Sequence, residues 1–292
     1  MARGREKSDG ALAMPAIREV FTPVIVRSGV QGAAPAAAPR RDDRQTVPAL
    51  VARRGGAAER LAQALGSRHP ALVFAIVLLG GFLLLAAASI LLGLLVIHVL
   101  ASSSGLGLAG ADESVNETLA RHRSGTLTTL SEIGSQVGGA PVLPILVGVI
   151  GIACAVARRW RIAAFAVFAL IAESATYRVT TLVVPRHRPH VHRLESLPVD
   201  ASYPSGHTAA SVAVYSGLVL LLTTRFTSSL SKALAWTAAI LLTTFVALSR
   251  MYRGMHHPLD VAGGVLVGIG AILLLLLACR AAGAAAERRA SA

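Results

Sequence analysis

The chain has 292 residues, of which 54% are hydrophobic and only 15% charged, and its mean hydropathy is +0.62. Soluble domains carry about 25% charged residues, so the composition points to a bilayer protein and against a water-soluble one. The formal charge of +13 would suit a nucleic-acid partner, but the basic residues fall between and outside the apolar runs, which favours a membrane and no nucleic acid.

Residues 1–70 are rich in Ala, Gly, Pro and Arg. Stretches such as 32–41 bury too little apolar surface to offset chain entropy, and the segment is expected to be a disordered, basic cytoplasmic tail. Within it, 16–26 carries a weak apolar signal for a short strand or binding motif. The first long apolar run begins near residue 71, too late for a secretory signal peptide.

Residues 71–100 contain no charge, and about 20 apolar residues span a bilayer core, so this is the first predicted span. Residues 101–139 are polar and rich in Gly and Ser, with Leu119, Leu127, Leu130 and Ile133 placed to form one face of an interfacial helix. Further runs at 140–157, 162–184, 207–223, 233–249 and 259–279 bring the count to six. Backbone groups in lipid must be satisfied within the segment, so the spans are helical. The predicted fold is all-α, a polytopic bundle of about six transmembrane helices over 71–283, with a short cytoplasmic tail at 284–292. Cys154 and Cys279 both lie in apolar runs and read as small apolar fillers.

Orientation follows from basic residues. About a dozen Lys/Arg precede the first span. Arg158, Arg159 and Arg161, then Arg225 and Lys232, then Arg280, Arg288 and Arg289 flank later ones. Six spans put all of these on one side, the cytoplasm, with both termini. The opposite side holds 185–206 and 250–258, which are also basic and so break the rule. An anionic ligand gives that excess a reason.

Those two loops carry three motifs: Arg188-Pro189, Pro204-Ser205-Gly206-His207, and Ser249 to Asp260. Together they resemble the type-2 phosphatidic acid phosphatase superfamily, with its pattern of Lys-x6-Arg-Pro, Pro-Ser-Gly-His and Ser-Arg-x5-His-x3-Asp. The resemblance implies a metal-independent, cofactor-free lipid phosphatase working at the outer face, and the Ala/Arg/Gly bias of the chain suits a bacterial plasma membrane. Its substrate would be phosphatidic acid, phosphatidylglycerol phosphate or polyprenyl diphosphate. It implies that His256 is the nucleophile, that His207 is the general acid, and that Asp260 orients His256 through one imidazole nitrogen. Arg188 and Arg250 would clamp the phosphate, with Ser205 and Gly206 at a helix start whose free N–H groups bind anions. Pro258 suits a first helical position. Seven residues before Arg188, where the family has Lys, stands Thr181. Arg178, one turn earlier, is the best-placed substitute, and Arg186 is another. Glu173, mid-span, is a partner for Arg178 or a functional group in its own right. His187, His190 and His192 read as solvated, since no other metal-ligand type stands at the right spacing. Two alternatives stay open: a lipid phosphotransferase using the same phosphohistidine, and a catalytically weak scaffold or transporter.

Overall fold

The computed structural model describes residues 47–102, 108–196 and 200–291. The weak signal at 16–26 lies outside them. Every regular element among the described residues is helical: a 3₁₀ turn at Pro48–Leu50, then α1 (Ala57–Ala64), α2 (Pro70–Leu95, continued to Leu100), α3 (Ala109–Arg121), α4 (Gly125–Val137), α5 (Val142–Val156), α6 (Trp160–Val183), α7 (Gly206–Ser211), α8 (Gly217–Thr223), α9 (Ser229–Tyr252) and α10 (Pro258–Ala290). Six stretches are long and apolar enough to cross a membrane: Pro70–Leu100, Gly125–Val156, Trp160–Val183, Gly206–Thr223, Ser229–Tyr252 and Pro258–Ala290.

Helix α10 is central. It packs against α1, α2, α6 and α7, and more than half of its apolar window is buried, against 17% for α2 at the rim. Its glycines set its distance from α7. A methyl group at Gly264 would meet the Ser205 carbonyl at 2.5 Å, and one at Gly268 would meet the Ala209 carbonyl at 2.6 Å. Small residues let backbones approach where lipid supplies no hydrophobic drive. The fourth span is thereby pinned with its first turn, Ser205 to Thr208, against the start of α10.

Three expectations need correction. The second span is not 140–157 alone. It runs Gly125–Val156 and is broken between α4 and α5. Leu119 sits on α3, while Leu127, Leu130 and Ile133 face outward on α4, so they do not form one interfacial face. Helix α4 buries Ser131, Gly134 and Ser135 instead, in contact with α9. This polar-in, apolar-out pattern has a loop-like composition. Second, residues 47–70 are ordered. Leu50 is wholly buried, Arg280 donates through Nε to the Ala49 carbonyl at 2.8 Å, and Ala58 and Ala62 pack with Ala278, Ala281 and Ala285. Third, the last helix is longer than the predicted run 259–279, because α10 goes on to Ala290. Its 33 residues span about 50 Å at 1.5 Å each. In both terminal segments tight alanine contacts do the work expected of large apolar residues.

Candidate active site

The site lies at one end of the bundle, where α6 and α9 finish and α7 and α10 begin. His257 caps α10, its backbone N–H donating to Asp260 Oδ2 at 2.8 Å, and Pro258 takes the first helical position as its fixed φ favours. This capping leaves His256 just outside the helix and 2% exposed. Its Nδ1 lies 2.7 Å from the Ser202 carbonyl. A carbonyl only accepts, so Nδ1 carries the proton and Nε2 keeps its lone pair. Burial, and after it the positive charge of Arg250, hold His256 well below the usual imidazole range. It is therefore neutral near pH 7, as a nucleophile requires.

Asp260 does not orient His256 directly. Its Oδ2 is 3.9 Å from His256 Nδ1, too far for a hydrogen bond. It ion-pairs with Arg186, which also grips Asp112 on α3, and it faces His257 Nδ1 at 3.3 Å. Burial alone would lower His257, but the hydrogen bond and charge of Asp260 raise it. Glu113 closes the network 3.1 Å from His257 Nε2. The intervening short loop explains the discrepancy: four residues place Asp260 one turn away only if His256 is itself helical, and it is not.

The arginines divide their tasks. Arg250, fully buried, gives Nη1 to Ser135 Oγ and, at 2.7 Å, to Glu195 Oε2, while its Nε and Nη2 have no hydrogen-bond partner among the described residues. Two parallel N–H groups left open in a buried site match a phosphate edge. Arg188 donates from Nη2 to the Ala201 carbonyl at 3.2 Å and from Nη1 to the Met255 carbonyl at 2.5 Å, bracing the residue before His256. Arg186, offered above for the missing lysine, is committed to two carboxylates. Thr181 is buried with its hydroxyl on the Arg178 carbonyl at 2.9 Å, and Arg178 itself reaches the cavity.

That cavity, of about 330 Å³, is lined by His207, His256, Gly206, Tyr177, Arg178 and Glu173 among others, and its roof is the break between α4 and α5 at Gly138, Gly139 and Ala140. A methyl group at Gly139 would come within 2.6 Å of His207 Nε2, so the break makes room for that imidazole. Ser205 is a structural element of this turn: its N–H donates to the Asp260 carbonyl at 2.9 Å and its hydroxyl meets Thr208 Oγ1 at 2.9 Å. His190 lies outside, exposed, 3.6 Å from Glu113.

Sequence reasoning passed over Glu195, Asp112, Asn116 and Ser202. Asn116 Nδ2 donates to the His256 carbonyl at 2.9 Å. Burial alone would raise Glu195, but the charge and hydrogen bond of Arg250, with Ser135 and Arg253, hold it down at about 2. Glu195 alone carried a signal, as an acid in an otherwise basic loop.

The PAP2 superfamily model matches residues 162–283. Over 75 residues the chain is 43% identical to an undecaprenyl-diphosphatase of Sulfolobus acidocaldarius, covering 26% of this chain and 32% of that one. Over 89 residues it is 39% identical to human sphingosine-1-phosphate phosphatase 2, covering 30% and 21%. The chain thus spans a third or less of the length of these two relatives. The fold is similar to that of a transmembrane PAP2-type phosphatidylglycerolphosphate phosphatase from Bacillus subtilis, with a TM-score of 0.54 at 24% identity over 70% of this chain and 93% of that one.

Proposed function

We propose, from the match of the PAP2 superfamily model to residues 162–283, that the chain is an integral membrane phosphatase hydrolysing a lipid phosphate or diphosphate through a phosphohistidine on His256. The observation that carries this reading is the tie between His256 Nδ1–H and the Ser202 carbonyl, in a cavity shared with His207. The lone pair on Nε2 attacks phosphorus as the bond to the leaving oxygen breaks. Protonated His207 gives its proton to that oxygen, which departs as the lipid alcohol, or as the lipid monophosphate from a diphosphate. Neutral His207 then takes a proton from water, whose oxygen attacks phosphorus and breaks the P–N bond. Inorganic phosphate leaves and both imidazoles return to their starting states. Arg250 Nε and Nη2 and the backbone N–H groups of the first turn of α7 stabilise the equatorial oxygens. Asp260 supports His256 indirectly, by fixing the start of α10 and Arg186.

The exposed Arg158, Arg225, Lys232, Arg288 and Arg289 all belong to the end opposite the site, which the positive-inside rule places in the cytoplasm. The site then faces outward, at headgroup level, with residues 47–70 and the end of α10 inside. Phosphate release from the purified chain, in EDTA and over a panel of lipid phosphates and diphosphates, tests the reading. Turnover of at least one is expected. No release from any, or activity lost to EDTA and restored by Mg²⁺, would overturn it.

A further inference from the structure

Glu173 lies in the middle of α6 and is 1% exposed. Its Oε2 accepts from Ser174 Oγ at 3.1 Å, while Oε1 is buried with no hydrogen-bond partner among the described residues. No ion pair joins it to Arg178, although five residues separate them. An unsatisfied carboxyl oxygen inside a span is costly and marks a functional position. Here it lines the same cavity as His207 and His256.

The depth of this oxygen relative to the phosphate subsite follows from the helix. Tyr177, four residues on, packs on the phosphate-binding turn, its ring 3.0 Å from where a Cβ on Gly206 would lie. One helical turn rises about 5.4 Å, so Glu173 sits about one turn deeper than the phosphate. That is the depth of the first carbons beyond the ester oxygen. The neighbouring walls, Leu143, Leu170 and Ala210, are apolar and suit the chain that follows.

We propose that Glu173 accepts a hydrogen bond from a hydroxyl or ammonium group on the carbon adjacent to the phosphate-bearing carbon, selecting lipid monophosphates that carry such a donor over those that lack one. The proposal rests on the phosphatase reading and narrows its substrate class. A polyprenyl chain offers no such donor, and neither does phosphatidic acid, whose adjacent carbon is acylated, whereas 1-acylglycerol 3-phosphate, phosphatidylglycerol phosphate and sphingoid 1-phosphates do.

Three probes separate the cases: octadecyl phosphate without a donor, 1-acylglycerol 3-phosphate with a hydroxyl, and sphingosine 1-phosphate with an ammonium on that carbon. The full chain is assayed in mixed micelles, as wild type, Glu173→Gln and Glu173→Leu. Wild type is expected to favour the donor lipids in kcat/KM by about tenfold or more, since a site built to bond a donor rejects the analogue without it. Glu173→Leu should erase that ratio. Glu173→Gln should keep it for the hydroxyl lipid and lose it for the ammonium lipid. Equal kcat/KM on all three in wild type, or ratios unchanged in the variants, would overturn the proposal. If Glu173→Leu does not fold, Glu173→Gln, of nearly the same shape, decides alone by its ratio for sphingosine 1-phosphate. Octadecyl phosphate hydrolysed without any preference sinks only the subsite, whereas no release from any of the three sinks the phosphatase reading and the subsite with it.

Discussion

The two ends of the bundle both carry arginines and use them in opposite ways. At the far end Arg158, Arg225, Arg288 and Arg289 are exposed. At the site end Arg186, Arg188, Arg250 and Arg253 are at most 8% exposed and bonded to carboxylates, hydroxyls and backbone carbonyls. Solvated cations set orientation through the membrane's fields, whereas buried ones must be paired and become structure. Of the four, Arg250 alone combines a fixed Nη1 with an Nε and Nη2 that have no hydrogen-bond partner among the described residues, and this sets the proposed phosphate clamp apart from the other three.

The sharpest tests remove the chemistry while keeping the frame. His256→Ala should lose at least about 10³-fold in kcat/KM, and more on poor leaving groups. His207→Ala should lose about 10²–10⁴-fold on a lipid phosphate and clearly less on an activated aryl phosphate, measured side by side. Equal losses on both would remove the general-acid assignment.

Breaking the frame should read out differently. Arg186→Ala leaves Asp112 and Asp260 buried without the guanidinium they share, at a cost of about 3–5 kcal/mol, seen as a lower midpoint in thermal unfolding. Arg288→Ala at the far end should stay within about 0.5 kcal/mol. An equal, small effect of both would erase the contrast between the ends.

Glu195 sharpens the comparison further. Its carboxylate is stabilised by the fold, so that stability is full above the ordinary glutamate pKa of about 4.3 and is lost as pH falls towards about 2. Wild type should therefore lose unfolding midpoint across that window. Glu195→Gln should flatten the loss and raise KM several-fold by freeing Arg250 Nη1. The smallest effect is expected at the cavity rim, where Arg178→Ala should lower kcat/KM a few-fold with an unchanged unfolding midpoint. Arg178 makes no ion pair with Glu173, so a fall in stability would contradict its role as a phosphate contact.

Much of this was legible in the sequence. The uncharged run at 71–100 carries the first membrane helix, and the motifs Pro204–His207 and Ser249–Asp260 point to His207 and His256, which line one cavity, and to Arg250 and Asp260. What stayed hidden depends on groups that sequence patterns do not mark. The partner of His256 is a backbone carbonyl, which leaves no signature at Ser202. Helix α4 faces its serines inward, so its composition reads as a loop. Residues 47–64 and the end of α10 pack through alanines, which no scale of hydrophobicity ranks highly. Asp112 meets Arg186 across 74 residues, a pairing that no local spacing reveals.

The central claim is that phosphorus is transferred to His256 and not to its neighbour. Rapid mixing with ³²P-labelled lipid phosphate, an alkaline detergent quench, and mapping of the labelled peptide measure this directly. Label on His256 in wild type, absent from His256→Ala and retained in His257→Ala, is the predicted result. Label on His257, or turnover with no protein-bound phosphate at any quench time, would contradict it.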